Sequence, residues 1–554
     1  MANPNSENAT KHQSPFRYLP GWFWRPSLAI AGGLVAGLTL APINLAALIF
    51  VSVVAIHLSI RGVGWRWGMA NGFVAGTTFY AAQSVWMSAY LGPEPWLALS
   101  VLEGLIFAVG LGLAAATWRL IDARAQQLGR WRSPILILAL SLIWVAREWV
   151  AGHFPYGGYQ WSRLGQPMAD TVFARLAYWG GISLVSLGVA IVSITLVVGL
   201  STPRQRWRSA SNALIAAPAV LVVATLLLTS LPSAPTNTAV QSSKPAGNSL
   251  RITAIQGNAN AGLFANPVPG SILTKHIAAT QRWLAQNPVE AAQTKLYVWP
   301  ENASDVDPLS NPIAGAQIHN LVDNQLHAPL MLGAVTWRGK RVFNSVLLLT
   351  PNTQAVKIYD KRRPVPFAEY VPDRAFWYQL APNLIGLIYR GFNFGTRSGI
   401  FQVDGTRVGS LICFEIGIDE IPHDLVTGGA TVIMSQANNS DFGHTAEAFQ
   451  QEALVRLQAI ATGRTIVHAS TVATTEIVGP DGRVVVGTKP FAPAWASAQV
   501  EPRNNLTPAM AWFGWVDKLA LAVAALALIS TLLTPLRSLS KRLGFIKSTL
   551  SDSN

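Results

Sequence analysis

Apolar residues along the first 231 positions gather in long runs with short polar breaks between them. The run from Ser27 to Ile60 is broken at Pro42-Ile43-Asn44, which predicts two short membrane-spanning helices joined by a tight turn. Further runs at about 68–91, 96–118, 133–150, 171–200 and 211–231 approach the roughly 20 residues a span needs, and another stands alone from Leu519 to Leu533. The pattern therefore predicts about eight spans, seven of them before residue 232.

Between 232 and 249 the sequence turns to Pro, Ser, Thr, Asn and Gly and reads as a linker. After it the period shortens. Strands are predicted at Leu250–Gln256, Leu296–Trp299, Leu330–Val335, Ser345–Leu349, Arg407–Ile412 and Thr431–Ser435, and helices at Ser271–Ala285, Ala314–Asp323 and Ala446–Thr462. Strands alternating with helices imply a layered α/β domain. The predicted order is a polar tail (1–25), a seven-span membrane domain (26–231), the linker (232–249), the α/β domain (250–510), an eighth span (511–536) and a second tail (537–554).

Composition agrees with a membrane protein. Half of the residues are hydrophobic, 12% are charged and 20 are tryptophan. The net charge of +14 does not point to nucleic acid, because the basic residues form no stripe interleaved with aromatics. They sit in alternate loops: Lys11, Arg17 and Arg25; Arg61 and Arg66; Arg119, Arg124, Arg130 and Arg132; Arg204, Arg206 and Arg208; then Arg537, Lys541, Arg542 and Lys547. The intervening loops carry only Arg163. The positive-inside rule then places both termini in the cytoplasm and residues 232–512 outside. The polar first 20 residues show no cleavable signal peptide.

The single cysteine excludes an internal disulfide and a Cys-cluster metal site, and no cofactor is expected. That cysteine, Cys413, ends a predicted strand and is followed by Phe414 and Glu415. A second strand end delivers Tyr297-Val298-Trp299-Pro300-Glu301. A third stretch runs Asp360-Lys361-Arg362-Arg363-Pro364-Val365-Pro366-Phe367-Ala368-Glu369. Taken singly, each has a plain explanation: a solvated acid, a basic surface run, a small core residue. Together they are the parts of thiol acyl transfer. A base makes the thiolate, and a cation with the Phe414 amide holds the oxyanion. The loop Gly152–Trp161 reads equally as an interfacial aromatic belt or as the wall of a substrate entrance. Arg147 and Glu148, at the end of a predicted span, are expected to pair within the bundle or to face a polar cavity. Between the lysine and cysteine motifs, Arg374–Phe394 is rich in aromatics and broken by Pro382 and Gly386. It reads as core or as a hinged apolar lid, in which Trp377, Leu384 and Ile385 would line a lipid entrance.

These three motifs, in this order, resemble the Glu–Lys–Cys triad of the nitrilase superfamily, whose domain is an αββα sandwich. The surrounding spans resemble the membrane-embedded branch of that superfamily, the apolipoprotein N-acyltransferases. Ile255-Gln256-Gly257-Asn258, Ala437–Gly443 and Ala459–Arg464 agree with it. The resemblance implies a polytopic helical bundle in the cell membrane that carries an extracytoplasmic nitrilase-like domain. Glu301 would be general base, Lys361 would stabilise the tetrahedral intermediate, and Cys413 would be acylated. Glu369 would support the site and Glu415 would orient the cysteine loop. The implied partners are a membrane phospholipid as acyl donor and diacylglyceryl-modified lipoproteins as acceptors. Alternatives are a membrane-bound amidase, or a scaffold for a polyprenol-phosphate mannose synthase, which actinobacterial relatives resemble. The chain departs from the family pattern at Phe414, Asp441 and Ala265, with Phe264 as a substitute aromatic.

Overall fold

The computed structural model describes residues 21–200, 227–230, 249–262, 268–388 and 391–551. The linker at 232–248, nearly all of the expected span at 211–231, and Phe264 with Ala265 lie outside the described residues.

Helices occupy the other predicted spans: Gly21–Ala36, Leu48–Ile60, Trp65–Gln83, Pro93–Ala123, Arg132–His153, Ala177–Leu200 and Trp515–Ser551. Eight spans were expected. Among the described residues four helices are long and apolar enough to cross a membrane: Pro93–Ala123, Ala125–His153, Val172–Leu200 and Trp515–Leu533. The first two helices are too short, at 16 and 13 residues. Trp65–Gln83 has 19 residues but exchanges apolar side chains for glycine. Gly68, Gly72 and Gly76 lie along one face of it, against Pro93–Ala123. A Cβ at Gly76 would sit 2.3 Å from that of Phe107, so glycine is what lets the two backbones approach.

The α/β region builds two six-stranded sheets. The first has the order β12-β1-β2-β3-β4-β5: β1 Leu250–Gln256, β2 Thr294–Val298, β3 Leu330–Arg338, β4 Arg341–Leu349, β5 Lys357–Asp360 and β12 Ala494–Val500. The second has the order β11-β10-β9-β8-β7-β6: β6 Ile400–Val403, β7 Thr406–Ile412, β8 Val432–Ala437, β9 Ile466–Ser470, β10 Glu476–Val478 and β11 Val484–Gly487. Three central strands of each sheet run parallel, β1-β2-β3 and β7-β8-β9, and the edges are antiparallel. Ile252, Val298 and Met331 of the first sheet meet Val408, Val432 and Val467 of the second in a dry layer. The outer face of the first sheet packs on Leu273 and Trp283 of the helix Ser271–Gln286 and on Ile318 of Pro312–Leu321.

The outer face of the second sheet packs on the helices Glu420–Thr427 and Glu447–Thr462, through Leu411 and Ile433 against Leu425 and Leu454. That core does not stop there. It continues into Phe50, Trp161, Phe173 and Val185 among the membrane helices. The helix Glu447–Thr462 is therefore buried on both sides, between a sheet and the bundle.

Candidate active site

Parallel strands present their C-terminal ends on one edge of a sheet, and each sheet contributes there. β2 ends at Val298 and Pro300 turns the chain, leaving Glu301 buried just past the strand. The turn needs space from the next strand. A Cβ on Gly333 of β3 would lie 2.4 Å from the Pro300 carbonyl and 2.5 Å from the Glu301 Cα, so glycine alone allows the approach. Lys361 follows β5, its amide bonded to the Asn344 carbonyl at 2.8 Å, and the residue is 1% exposed.

A lysine buried to that degree must be paired. Its Nζ lies 2.8 Å from Glu369 Oε2 and 3.4 Å from Glu301 Oε1. Asn344 Nδ2 donates to both carboxylates, at 2.6 Å to Glu301 and 2.9 Å to Glu369. The Asn438 backbone N–H donates to the other oxygen of Glu301 at 2.7 Å. Burial opposes the lysine's charge, but Glu369 and Glu301 outweigh it and hold the ammonium above its ordinary value. Burial, with Glu369 alongside, raises Glu301 above the usual carboxylate range against the pull of Lys361. Glu301 thus sits where a proton can be both taken and returned.

Cys413 opens the turn Cys413–Gly417 directly after β7, with φ +54°. A non-glycine residue in the left-handed region is strained and must be held by its surroundings. Glu415 does the holding. Its carboxylate accepts from the amides of Ile412 (2.8 Å), Arg362 (2.7 Å) and Arg363 (3.1 Å) and from the Tyr359 hydroxyl (2.9 Å). One buried side chain thereby fastens the cysteine turn to the lysine loop. Burial pushes the Cys413 thiol up and Glu301 adds to that, while Lys361 opposes both. Cys413 as a residue is half-buried. Phe414 is stacked between Trp161 (centroids 6.0 Å apart, planes at 5°) and Tyr159 (6.5 Å, 20°).

The glycine-rich loop Gly152–Trp161 divides between its two readings. Tyr159 and Trp161 face the site, while Phe154 is exposed. Tyr156 donates to Asp373 at 2.9 Å and meets Phe367, which in turn packs edge-on to Trp377 at 5.2 Å. The segment after it forms two short helices, Arg374–Leu380 and Pro382–Leu387. Trp377 and Leu384 are half-buried. Ile385 is turned inward, because Arg374 grips the backbone carbonyls of Ile385 and Ile388 and folds the second helix back. The outward positions are Phe376, Tyr378, Leu380 and Leu387. Arg147 and Glu148 pair as expected, and of the two only Glu148 faces the polar cavity. They lie 3.5 Å apart, and Glu148 lines a cavity of about 220 Å³ with Arg163, Asp419, Asp517 and Lys518.

Sequence reasoning missed Asn344, Asn438, Asn439, Glu447 and Gln451. Asn344 was detectable, with Ser345 beside it, as a polar break in the otherwise apolar stretch Val342–Leu349 of β4. Glu447, Gln450, Gln451 and Leu454 follow the spacing of one helical face, and that face is buried. Burial holds Glu447 up to about 7, although Asn439 donates to it.

Residues 32–195 match the model of the apolipoprotein N-acyltransferase N-terminal domain, and residues 274–503 match that of carbon-nitrogen hydrolase. An apolipoprotein N-acyltransferase of Mycolicibacterium smegmatis is 30% identical over 95% of this chain and 92% of its own length. One of Pseudomonas putida is 26% identical over 89% of this chain and 95% of its own. Among solved structures, an amidase from Nesterenkonia sp. is 14% identical, covering 48% of this chain and 95% of its own, with a TM-score of 0.33.

Proposed function

We propose a two-step acyl transfer for this chain, which belongs to the apolipoprotein N-acyltransferase family. The acyl donor is a membrane phospholipid, and the acceptor is the α-amino group of a diacylglyceryl-cysteine at a lipoprotein N-terminus. In the first step the sulfur of Cys413 attacks the donor's ester carbonyl while Glu301 takes the thiol proton. Lys361, with the Phe414 amide, holds the oxyanion. Collapse returns that proton to the departing lysophospholipid oxygen and leaves a thioester on Cys413. In the second step the acceptor amine attacks the thioester, Glu301 takes its proton, and the Cys413 thiolate leaves.

The observation that carries this reading is the buried lysine held between two carboxylates, at 2.8 and 3.4 Å, in the electrostatic field of the only thiol in the chain. A surface lysine would need neither partner. Glu369 keeps Lys361 charged and Glu415 fixes the turn. The exposed aromatics and leucines around Trp377 and Leu384 form the lipid entrance, joined to the Gly152–Trp161 loop through Tyr156. The basic loops support a multi-pass arrangement with both termini cytoplasmic and the two-sheet domain outside. Mass spectrometry of lipoprotein N-termini tests the function. Cells with the protein should carry the third acyl chain, and cells without it should carry free α-amines. Identical N-termini in both would overturn the reading.

A further inference from the structure

We propose that Gln451 is the hydrogen-bond donor that holds the sulfur of Cys413, and that Gln450 beside it couples this donor to the membrane helices. The proposal rests on Cys413 as the nucleophile.

Gln451 Nε2 lies 3.8 Å from Cys413 Sγ. An amide side chain can present either its N–H₂ or its carbonyl, and only the first helps an anionic sulfur. The buried relay behind it decides which. The Ala473 amide donates to Ser470 Oγ at 3.1 Å, so the Ser470 hydroxyl proton goes to Asn439 Oδ1 at 2.6 Å. The Asn439 amide then faces the other way, donating to Glu447 Oε2 at 2.8 Å and to Gln451 Oε1 at 3.0 Å. With its carbonyl engaged, Gln451 turns its N–H₂ to the thiol. Gln451 and Ser470 are fully buried and Asn439 nearly so, so water does not substitute for any link. The charged groups that act on the thiol are Glu301, Lys361 and Glu369 from the first sheet's loops and Glu447 from this helix. Three of those four are acids. A neutral donor on the sulfur therefore offsets a field that otherwise works against the thiolate.

Gln450, one position earlier and about 100° round the same helix, sends its amide into the bundle, which uses it up. Its carbonyl oxygen accepts from the indoles of Trp86 (3.1 Å) and Trp161 (2.8 Å). Its nitrogen donates to the Gln83 carbonyl at 3.1 Å and the Ala41 carbonyl at 3.4 Å, and Gln166 donates to its backbone oxygen at 3.0 Å. Those partners come from three separate segments of the membrane region. Two adjacent residues on one rigid helix thus register the bundle on one side and the thiol on the other. A shift of the bundle that moves Gln450 also moves Gln451.

The test is the pH profile of alkylation by iodoacetamide in the detergent-purified full chain, where Cys413 is the only thiol. Gln451→Ala should move the inflection upward by about one pH unit, which is about tenfold slower alkylation below it. Gln451→Met keeps the volume without the donor and should do the same, so the test survives poor folding of the alanine variant. Gln450→Met should move the profile in the same direction. Leu457→Ala, which opens a cavity in the same buried helix, should lower the melting temperature and leave the inflection in place. An unmoved profile in both Gln451 variants overturns the donor. A moved profile in Gln451→Met with an unmoved one in Gln450→Met overturns the coupling. Failure of the nucleophile reading is distinguishable, because it appears as acyl transfer that persists in Cys413→Ser whatever the alkylation profile.

Discussion

Replacing Lys361 by methionine separates its two tasks. The side chain is 2% exposed and contacts Glu369 at 2.8 Å and Glu301 at 3.4 Å, and both carboxylates also share Asn344. Methionine fills the space but leaves two buried acids facing one another. Breaking a buried ion cluster by removing one partner costs about 3–5 kcal/mol. For a domain of roughly 250 residues that is on the order of 10 °C in melting temperature. The deficit depends on pH, and its sign is fixed. Glu301 is already raised by burial and by Glu369, and loss of the opposing Lys361 raises it further. A carboxyl group whose folded-state pKa exceeds its unfolded value supports folding below the unfolded value, and that support is lost as pH rises through the folded one. The deficit against wild type should therefore be smallest near pH 4.5 and should grow toward pH 8. Catalytically, loss of the cation facing the oxyanion should cost about 10²–10³-fold in acylation. The assays are thermal unfolding across that pH range and mass spectrometry of the Cys413 peptide after incubation with phospholipid. A deficit independent of pH, with acylation near wild type, would refute the placement of Lys361 between two acids.

Cys413→Ser should abolish transfer, and wild type given phospholipid alone should carry a hydroxylamine-labile acyl mass on the Cys413 peptide; a fully active serine variant would sink the covalent step. Glu301→Gln should fold and fail to acylate, because an amide takes no proton; normal acylation there would remove Glu301 from the chemistry. Glu447, which burial holds up to about 7, supports folding below its ordinary range and loses that support as pH rises through about 7. Glu447→Gln should accordingly raise the melting temperature more at pH 8 than at pH 6, and an equal change at both would contradict the burial argument. Ile313→Cys in a Cys413→Ser background, exposed on the two-sheet domain, should react with an impermeant thiol reagent on intact cells; labelling only after permeabilisation would invert the sidedness.

The sequence revealed those parts whose signal is local. A buried parallel strand is a continuous apolar run, so β1, β2, β3, β7 and β8 were legible within a few residues, whereas the parallel strand β9, interrupted by His468, was missed. The short edge strands β5, β6, β11 and β12 were not, because half-exposed strands of mixed composition resemble loops. Among the described residues the number of long apolar helices was over-read because length and hydropathy judge a helix alone. Trp65–Gln83 meets its neighbours with glycine, which hydropathy scores as weakly as a loop. Glu301 and Cys413 each follow an apolar run, while Lys361, preceded by Asp360, stood out only through the motif around it; the structure sets Lys361 against Glu301. The buried amides around them were not, since nothing in the order of residues tells whether an Asn or Gln will be buried beside a thiol.

What those amides add is dryness. Water competes with the acceptor amine for any thioester on Cys413, so a transferase must leave room for a lipid and an amine but little for water. Around the cysteine turn the wall is aromatic: Phe414 lies between Trp161 and Tyr159, and Trp86 meets Phe442 edge-on at 5.1 Å. The polar groups that must lie behind such a wall cannot rely on solvent, so they bond to each other. Asn344, Asn438, Asn439, Gln450 and Gln451 supply those bonds without adding charge. Trp86 and Trp161 belong to the membrane region, yet they complete both the wall and the bonds to Gln450. A soluble domain cut free of its helices would lose that wall and expose the back of the helix Glu447–Thr462 to water. On this argument the membrane region does more than anchor the domain: through Trp86 and Trp161 it completes the aromatic wall around the cysteine turn.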